Sequence, residues 1–134
     1  MSGNGYRFAA PVGWGVTHAA RTTSAASGEK LLSVTVFPLG RPFQPALWDK
    51  TAPELDRVAS QLASELGGQV TSQAGATLAG RRARTYDISF KRGGKAVVER
   101  IAFLLEGRRE YQLLCRFVGD DSACRDFRAS FRLG

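Results

Sequence analysis

The sequence predicts an α+β fold: a single antiparallel sheet of about six strands with helices packed on its faces, an α/β/α sandwich spanning 1–134 as one domain. Three observations predict it. From Arg81 to Phe117 three runs alternate apolar and polar residues with a period of two, the pattern of strands with one wet face. Tyr86, Ile88 and Phe90 form one such face, Val97 and Ile101 the next, and Tyr111, Leu113, Cys115 and Phe117 the third. Glycine-bearing turns at Lys91-Arg92-Gly93-Gly94 and Glu106-Gly107-Arg108-Arg109 join them as hairpins. One long amphipathic helix stands apart from these strands, and links that are hairpins rather than crossovers argue for an antiparallel sheet.

Taken in order, Tyr6 to Ala10 reads as a short edge strand ended by Pro11, and Val12-Gly13-Trp14 as a turn with an aromatic plug. Val16 to Thr22 reads as a strand that pairs with Leu31 to Phe37 through a turn at Ser27-Gly28-Glu29. Pro38 stops that second strand, and Arg41-Pro42-Phe43-Gln44-Pro45 is a surface connection. The helix is expected over Ala52 to Leu66. Thr51-Ala52-Pro53-Glu54 has the form of a capping box, and Leu55, Val58, Leu62 and Leu66 make its apolar stripe, widened by Ala59 and Ala63. Gly67-Gly68 ends it. Val70 to Leu78 is a weaker strand. After Phe117, Asp120-Asp121-Ser122 offers an N-cap to a short helix from Ala123 to about Ser130.

A chain of 134 residues, 43% hydrophobic and 23% charged, has enough material for one core. It contains no apolar run long enough to span a membrane and no recognisable export leader, and Met1-Ser2-Gly3-Asn4-Gly5 reads as a start placed on a trimmed chain. The formal charge is +7, unevenly placed: 13 basic and 7 acidic residues follow from Arg81 onward, against 6 and 5 before it.

Few side chains point to chemistry. Cys115 sits on the apolar face of the last strand and Cys124 on the Cys124/Phe127/Phe131 stripe of the final helix, which places them for a disulfide and an oxidising compartment. The alternative is two buried, reduced thiols. His18 is the sole histidine and reads as an exposed loop residue. No glycine-flanked nucleophile turn, carboxylate pair, phosphate loop or metal-ligand spacing accompanies it, so neither an enzyme nor a metal or cofactor is expected. Arg81, Arg82, Arg84, Arg92, Arg108 and Arg109 gather at the ends of the meander strands as a possible anion-binding rim, against ordinary solvated turns. Without a repeat of aromatic and arginine positions, nucleic acid is disfavoured as a partner. Phe37, Phe43, Leu47 and Trp48 mark a proline-stiffened apolar loop that either packs over the helix start or binds a partner.

Several pieces, in this order, resemble the PsbP/Mog-like (DcrB-like) family of small domains. They are Tyr6-x-Phe8…Pro11-x-Gly13-Trp14, Leu32-x-Val34-x-Val36, Leu78-x-Gly80-Arg81-x-Ala83 with Tyr86, Tyr111 to Cys115, and Ser130-Phe131. The resemblance implies an antiparallel α/β/α sandwich acting as a non-catalytic binding or assembly module. Many bacterial members are secreted or lipoproteins, and others are cytoplasmic chaperones. The cofactor-related residues of the plant subunit have no match here, and the basic surface departs from the Ran-binding type, so no functional residue carries over. The cysteine pattern looks most like actinobacterial envelope members.

The expectation is therefore a binding or assembly domain outside the cytoplasm, its protein or small-molecule partner and oligomeric state left open. A cytoplasmic, chaperone-like adaptor shielding hydrophobic segments of a secreted partner is the first alternative. An anion or nucleic-acid binder using the arginine rim is the second.

Overall fold

The computed structural model describes residues 5–134 in full, with the backbone of the pair Ser2–Gly3; Met1 and Asn4 of the opening segment lie outside the described residues. Among the described residues, ten strands and two α-helices follow in the order β1 (Ser2–Gly3), β2 (Tyr6–Arg7), β3 (Gly15–His18), β4 (Thr22–Ser27), β5 (Lys30–Pro38), α1 (Trp48–Glu65), β6 (Gln69–Leu78), β7 (Arg81–Arg92), β8 (Lys95–Glu106), β9 (Arg109–Phe117), α2 (Ser122–Ser130) and β10 (Arg132–Leu133). The α+β class holds, with seven strands in the main antiparallel sheet rather than about six, in the order β3-β4-β5-β9-β8-β7-β6. A second, three-stranded sheet of order β1-β2-β10 corrects two expectations. Tyr6 and Arg7 pair with Leu133 and Arg132 instead of edging the main sheet, and the chain after α2 forms a strand the sequence pattern did not mark.

The expected strand over Val16 to Thr22 is two strands. The chain turns at residues 19–21, where the Ala19 N–H donates to the Thr22 carbonyl at 2.8 Å, so β3 folds back on β4. The meander runs as expected. Ile101 faces Tyr86 on one side and Leu114 on the other, and Ala102 lies between Thr85 and Leu113.

The helix begins four residues before the expected start, preceded by a 3-10 turn at Pro45–Leu47. No capping box forms: the Thr51 hydroxyl, inside the first turns, donates back to the Leu47 carbonyl at 2.9 Å. Pro45 already starts the helical path, so Pro53 falls inside the helix. The far end follows expectation. The Gly68 N–H reaches the Ala63 carbonyl and the Gly67 N–H the Ser64 carbonyl, with Gly67 at φ +69°, the double bond of a Schellman stop. The buried seam runs through Leu55, Ala59 and Ala63, while Val58 is turned out to solvent at 41% exposure.

Each helix covers one half of one face. α1 lies over Tyr86, Ile88, Phe90, Val97, Ile101 and Phe103. On the opposite face α2 and the N-terminal segment enclose Leu32, Val34, Leu104, Tyr111, Leu113 and Cys115 with Tyr6, Phe8, Phe127 and Phe131. Alternation along the strands explains the split: β7 turns its apolar side to α1 and β9 turns its own to α2. The diagonal cover leaves the α1-side face of β3, β4, β5 and β9 without a helix. There the registered neighbours Thr17, Ser24 and Ser33, and beside them Thr22, Thr35 and Gln112, share the surface with Leu31, Phe37 and Leu114. Along the outer side of the sheet, β6 has ten residues with neither charge nor proline, most of them exposed.

Cys115 and Cys124 form a disulfide, their Cα atoms 5.6 Å apart. The bond joins β9 to the first turn of α2. Among the described residues, no helix is long and apolar enough to cross a membrane.

Candidate functional site

A hollow of about 470 Å³ opens at the end of the sheet where three segments meet. The β3–β4 link supplies His18, Ala19, Ala20 and Arg21. The end of β5 supplies Val36 and Pro38, and the β8–β9 turn supplies Arg108 and Arg109. Tyr6, Thr22 and Thr23 line its floor. The link is held from both sides, by the Ala19–Thr22 hydrogen bond and by the Val36 N–H donating to the Arg21 carbonyl at 2.9 Å. The turn supplying Arg108 is clamped by the proline-rich loop. The Leu39 N–H donates to the Arg108 carbonyl at 2.8 Å and the Phe43 N–H to the Gly107 carbonyl at 2.6 Å.

On the floor the Tyr6 hydroxyl donates to Thr23 Oγ1 at 2.7 Å, while Thr22 Oγ1 shares a hydrogen bond with Thr35 Oγ1 at 2.9 Å on the opposite face of the sheet. Above the floor stand His18, Arg21, Arg108 and Arg109, and no aspartate or glutamate lines the cleft. Arg109 packs against the backbone of Gly5, where a side chain would collide with its guanidinium. Such a set attracts anions: guanidinium forks face a partly enclosed space with no carboxylate in its lining. His18 makes no hydrogen bond or ion pair with a described side chain, so no acid orients it.

The six expected rim arginines are divided. Arg108 and Arg109 line the cleft. Arg81 is paired with Glu106 at 2.6 Å, and Arg84 with Asp56 through two contacts of 2.6 and 3.2 Å. Arg82 lies over the Trp48 ring and Arg92 over Phe90, the latter at the opposite end of the sheet. The rim is thus one cleft plus separate, locally satisfied side chains.

The apolar loop is divided as well. Phe43 packs edge-on against the buried Trp48, while Phe37 and Leu47 stay exposed. Phe43, Trp48, Arg81, Arg82 and Leu105 share a smaller hollow of about 180 Å³, where the two groups of candidate residues meet.

Sequence reasoning missed Tyr6, Arg21, Thr22 and Thr23 as cleft residues and set His18 aside. The signal was present in part, since His18 and Arg21 flank two alanines where the strand expected over Val16 to Thr22 breaks. Nothing local placed that break beside Arg108. Among the described residues, no three His, Cys, Asp or Glu gather where a metal ion would sit.

No protein-family model and no curated protein matches the chain. Solved structures do share the fold. A Bacteroides thetaiotaomicron protein aligns over 96% of this chain with a TM-score of 0.68 at 9% identity, and the chain spans 45% of that protein's length. LpqN, described as involved in cell envelope biogenesis of Mycobacterium tuberculosis, aligns over 96% of this chain and 82% of its own, with a TM-score of 0.58 at 15% identity. At such identities the likeness is one of fold: this chain has the architecture of LpqN, and its disulfide is compatible with a place outside the cytoplasm.

Proposed function

We propose that the chain is a non-catalytic binding domain of the cell envelope, of the PsbP/Mog-like kind, that holds a small anionic ligand in the cleft between the β3–β4 link and the β8–β9 turn. The observation that carries this reading is the cleft itself: about 470 Å³, lined by His18, Arg21, Arg108 and Arg109 with Tyr6 and Thr23, and by no acid. The disulfide supports an oxidising compartment, and the envelope role printed for LpqN accords with it.

The test is a thermal-shift and calorimetric panel of pyrophosphate, citrate and succinate. At least one is expected to raise Tm saturably. The gain disappears in an Arg21→Ala/Arg108→Ala variant and shrinks about tenfold or more in affinity between roughly 50 and 200 mM salt, as charge-driven contacts require. No shift with any of the three anions, or equal shifts in the variant, defeats the proposal.

A further inference from the structure

A second group of arginines lies beside α2. Arg125 and Arg128 are three residues apart on the helix and so share a side. Arg100, on β8, approaches the start of α2. Its Nε and Nη2 donate to the two Asp87 oxygens at 2.8 and 3.1 Å, and its Nη1 donates to Asp121 at 3.0 Å. Asp121 also takes Arg125 Nε at 3.1 Å. Both carboxylates are therefore committed to Arg100 and Arg125.

Arg128 is left over. It is half-buried, and its one hydrogen bond among the described residues runs from Nη1 to Thr85 Oγ1 at 3.0 Å. Burial first, then the Arg100 charge, hold its pKa below the ordinary guanidinium value, with Asp87 offsetting only part. Completing the end of α2 does not account for this placement. Arg132 Nη1 already donates to the Ala129 and Phe131 carbonyls at 2.8 and 2.7 Å. A cation free to swing into water is instead drawn in beside two others, at a hollow of about 300 Å³ lined by Thr77, Leu78, Arg100, Arg125, Arg128 and Ala129 and by no acid.

We propose that this hollow is an oxyanion site for a phosphate group, with Arg128 and Arg125 as its direct donors and Arg100 as a fixed neighbouring charge. Three guanidiniums facing two carboxylates leave one positive charge uncompensated, and Arg128 keeps unused N–H groups for a tetrahedral oxyanion. The disulfide sits between Asp121 and Arg125 along α2, so the helix that presents these donors is bonded to β9. The site is separate from the cleft at the sheet end and does not depend on it.

The experiment uses the whole oxidised chain in a phosphate-free buffer, titrated with inorganic phosphate by calorimetry and ³¹P NMR. Vesicles of phosphatidylcholine, with and without one-fifth phosphatidic acid, form a second arm. Phosphate is expected to bind saturably to the native chain and equally to Arg21→Ala/Arg108→Ala. Affinity falls about tenfold or more in Arg128→Ala and partially in Arg128→Lys, which keeps the charge without the fork. Vesicle binding that requires phosphatidic acid and Arg128 assigns the group to a lipid headgroup; phosphate binding without it assigns a soluble source. Without ligand, Arg128→Ala should unfold at an equal or higher temperature, because an uncompensated cation has been removed. A lower ligand-free Tm with unchanged phosphate affinity would make Arg128 a structural residue and overturn the proposal. No saturable phosphate binding by the native chain, in either arm, overturns it too.

Discussion

The two helices cover the same sheet by different means. α1 runs for 18 residues, roughly 27 Å, and its seam of Leu55, Ala59 and Ala63 lets its backbone settle close to β7 and β8. A polar clasp completes the contact. Asp56 accepts from Nε and Nη2 of Arg84 and from the Tyr86 hydroxyl, tying the helix to the strand beneath. Burial, aided by the Asp56 hydrogen bond, pushes the Tyr86 phenol well above its ordinary pKa, so it stays a donor. α2 has nine residues and buries only Cys124 and Phe127. So short a helix does not hold itself, and its attachment comes from a covalent bond at one residue, an aromatic anchor at the next turn, and the Arg100–Asp121 pair at its start. Coverage by length relies on packing, and coverage by a stub relies on staples.

Breaking the staples should therefore cost more, residue for residue, than loosening the longer helix. Phe127, fully buried and edge-on to Phe8 at 4.9 Å, is the largest single anchor, and Phe127→Ala is expected to cost about 3–5 kcal/mol. A lowered urea midpoint at unchanged slope would register it, and a loss below that of Leu55→Ala would reverse the comparison. Next comes the bridge. Reduction, or Cys115→Ser with Cys124→Ser, should remove about 2–3 kcal/mol, and the double variant should ignore reductant in a thermal scan. On the α1 side, Gly68→Ala places a Cβ 2.3 Å from the Ser89 carbonyl oxygen and 2.8 Å from Phe90 Cβ, in backbone that has no room to yield. A loss of about 1–3 kcal/mol is expected, read from the same urea curves.

The smallest effect is the clasp. Asp56→Asn should cost about 1 kcal/mol at neutral pH, the exposure of the pair limiting it. Hydrogen bonding from Arg84 holds the Asp56 carboxyl below its ordinary pKa despite some burial. Its contribution is thus fully present above the unfolded carboxyl's pKa, near 4, and fades as pH falls through the lower folded value. Urea midpoints at pH 7 and pH 3 should converge between native and Asp56→Asn at the acid end. A constant gap across that range would show that the charge is not what holds the helix.

The unequal legibility of the two helices has the same origin. The meander was readable because alternation over 37 residues, from Arg81 to Phe117, is set by neighbours two apart, and the bridge because Cys115 and Cys124 each fell on an apolar face. The start of α1 was misplaced since Pro45 and Pro53 both fit a first turn, and only the docking of Trp48 decides between them. β10 was missed because two residues carry no periodicity; they become a strand only where Tyr6 and Arg7 stand to receive them. The cleft was half-visible. Arg108 and Arg109 were marked, but their companions come from a link about 90 residues earlier, brought near by the pairing of β5 with β9. Arg125 and Arg128 passed unnoticed because their importance depends on which acids Arg100 has already taken.

The bare outer side of β6 has a consequence for the chain in crowded solution. Its ten uncharged residues offer free backbone donors and acceptors to any extended segment that drifts past, and no lysine guards the row. What keeps neighbouring copies away is the surplus charge of +7, a repulsion felt over only about 8 Å at physiological salt. Colloidal stability should consequently worsen as ionic strength rises, the reverse of a protein that salts in, with one lysine at Gln73 enough to restore it.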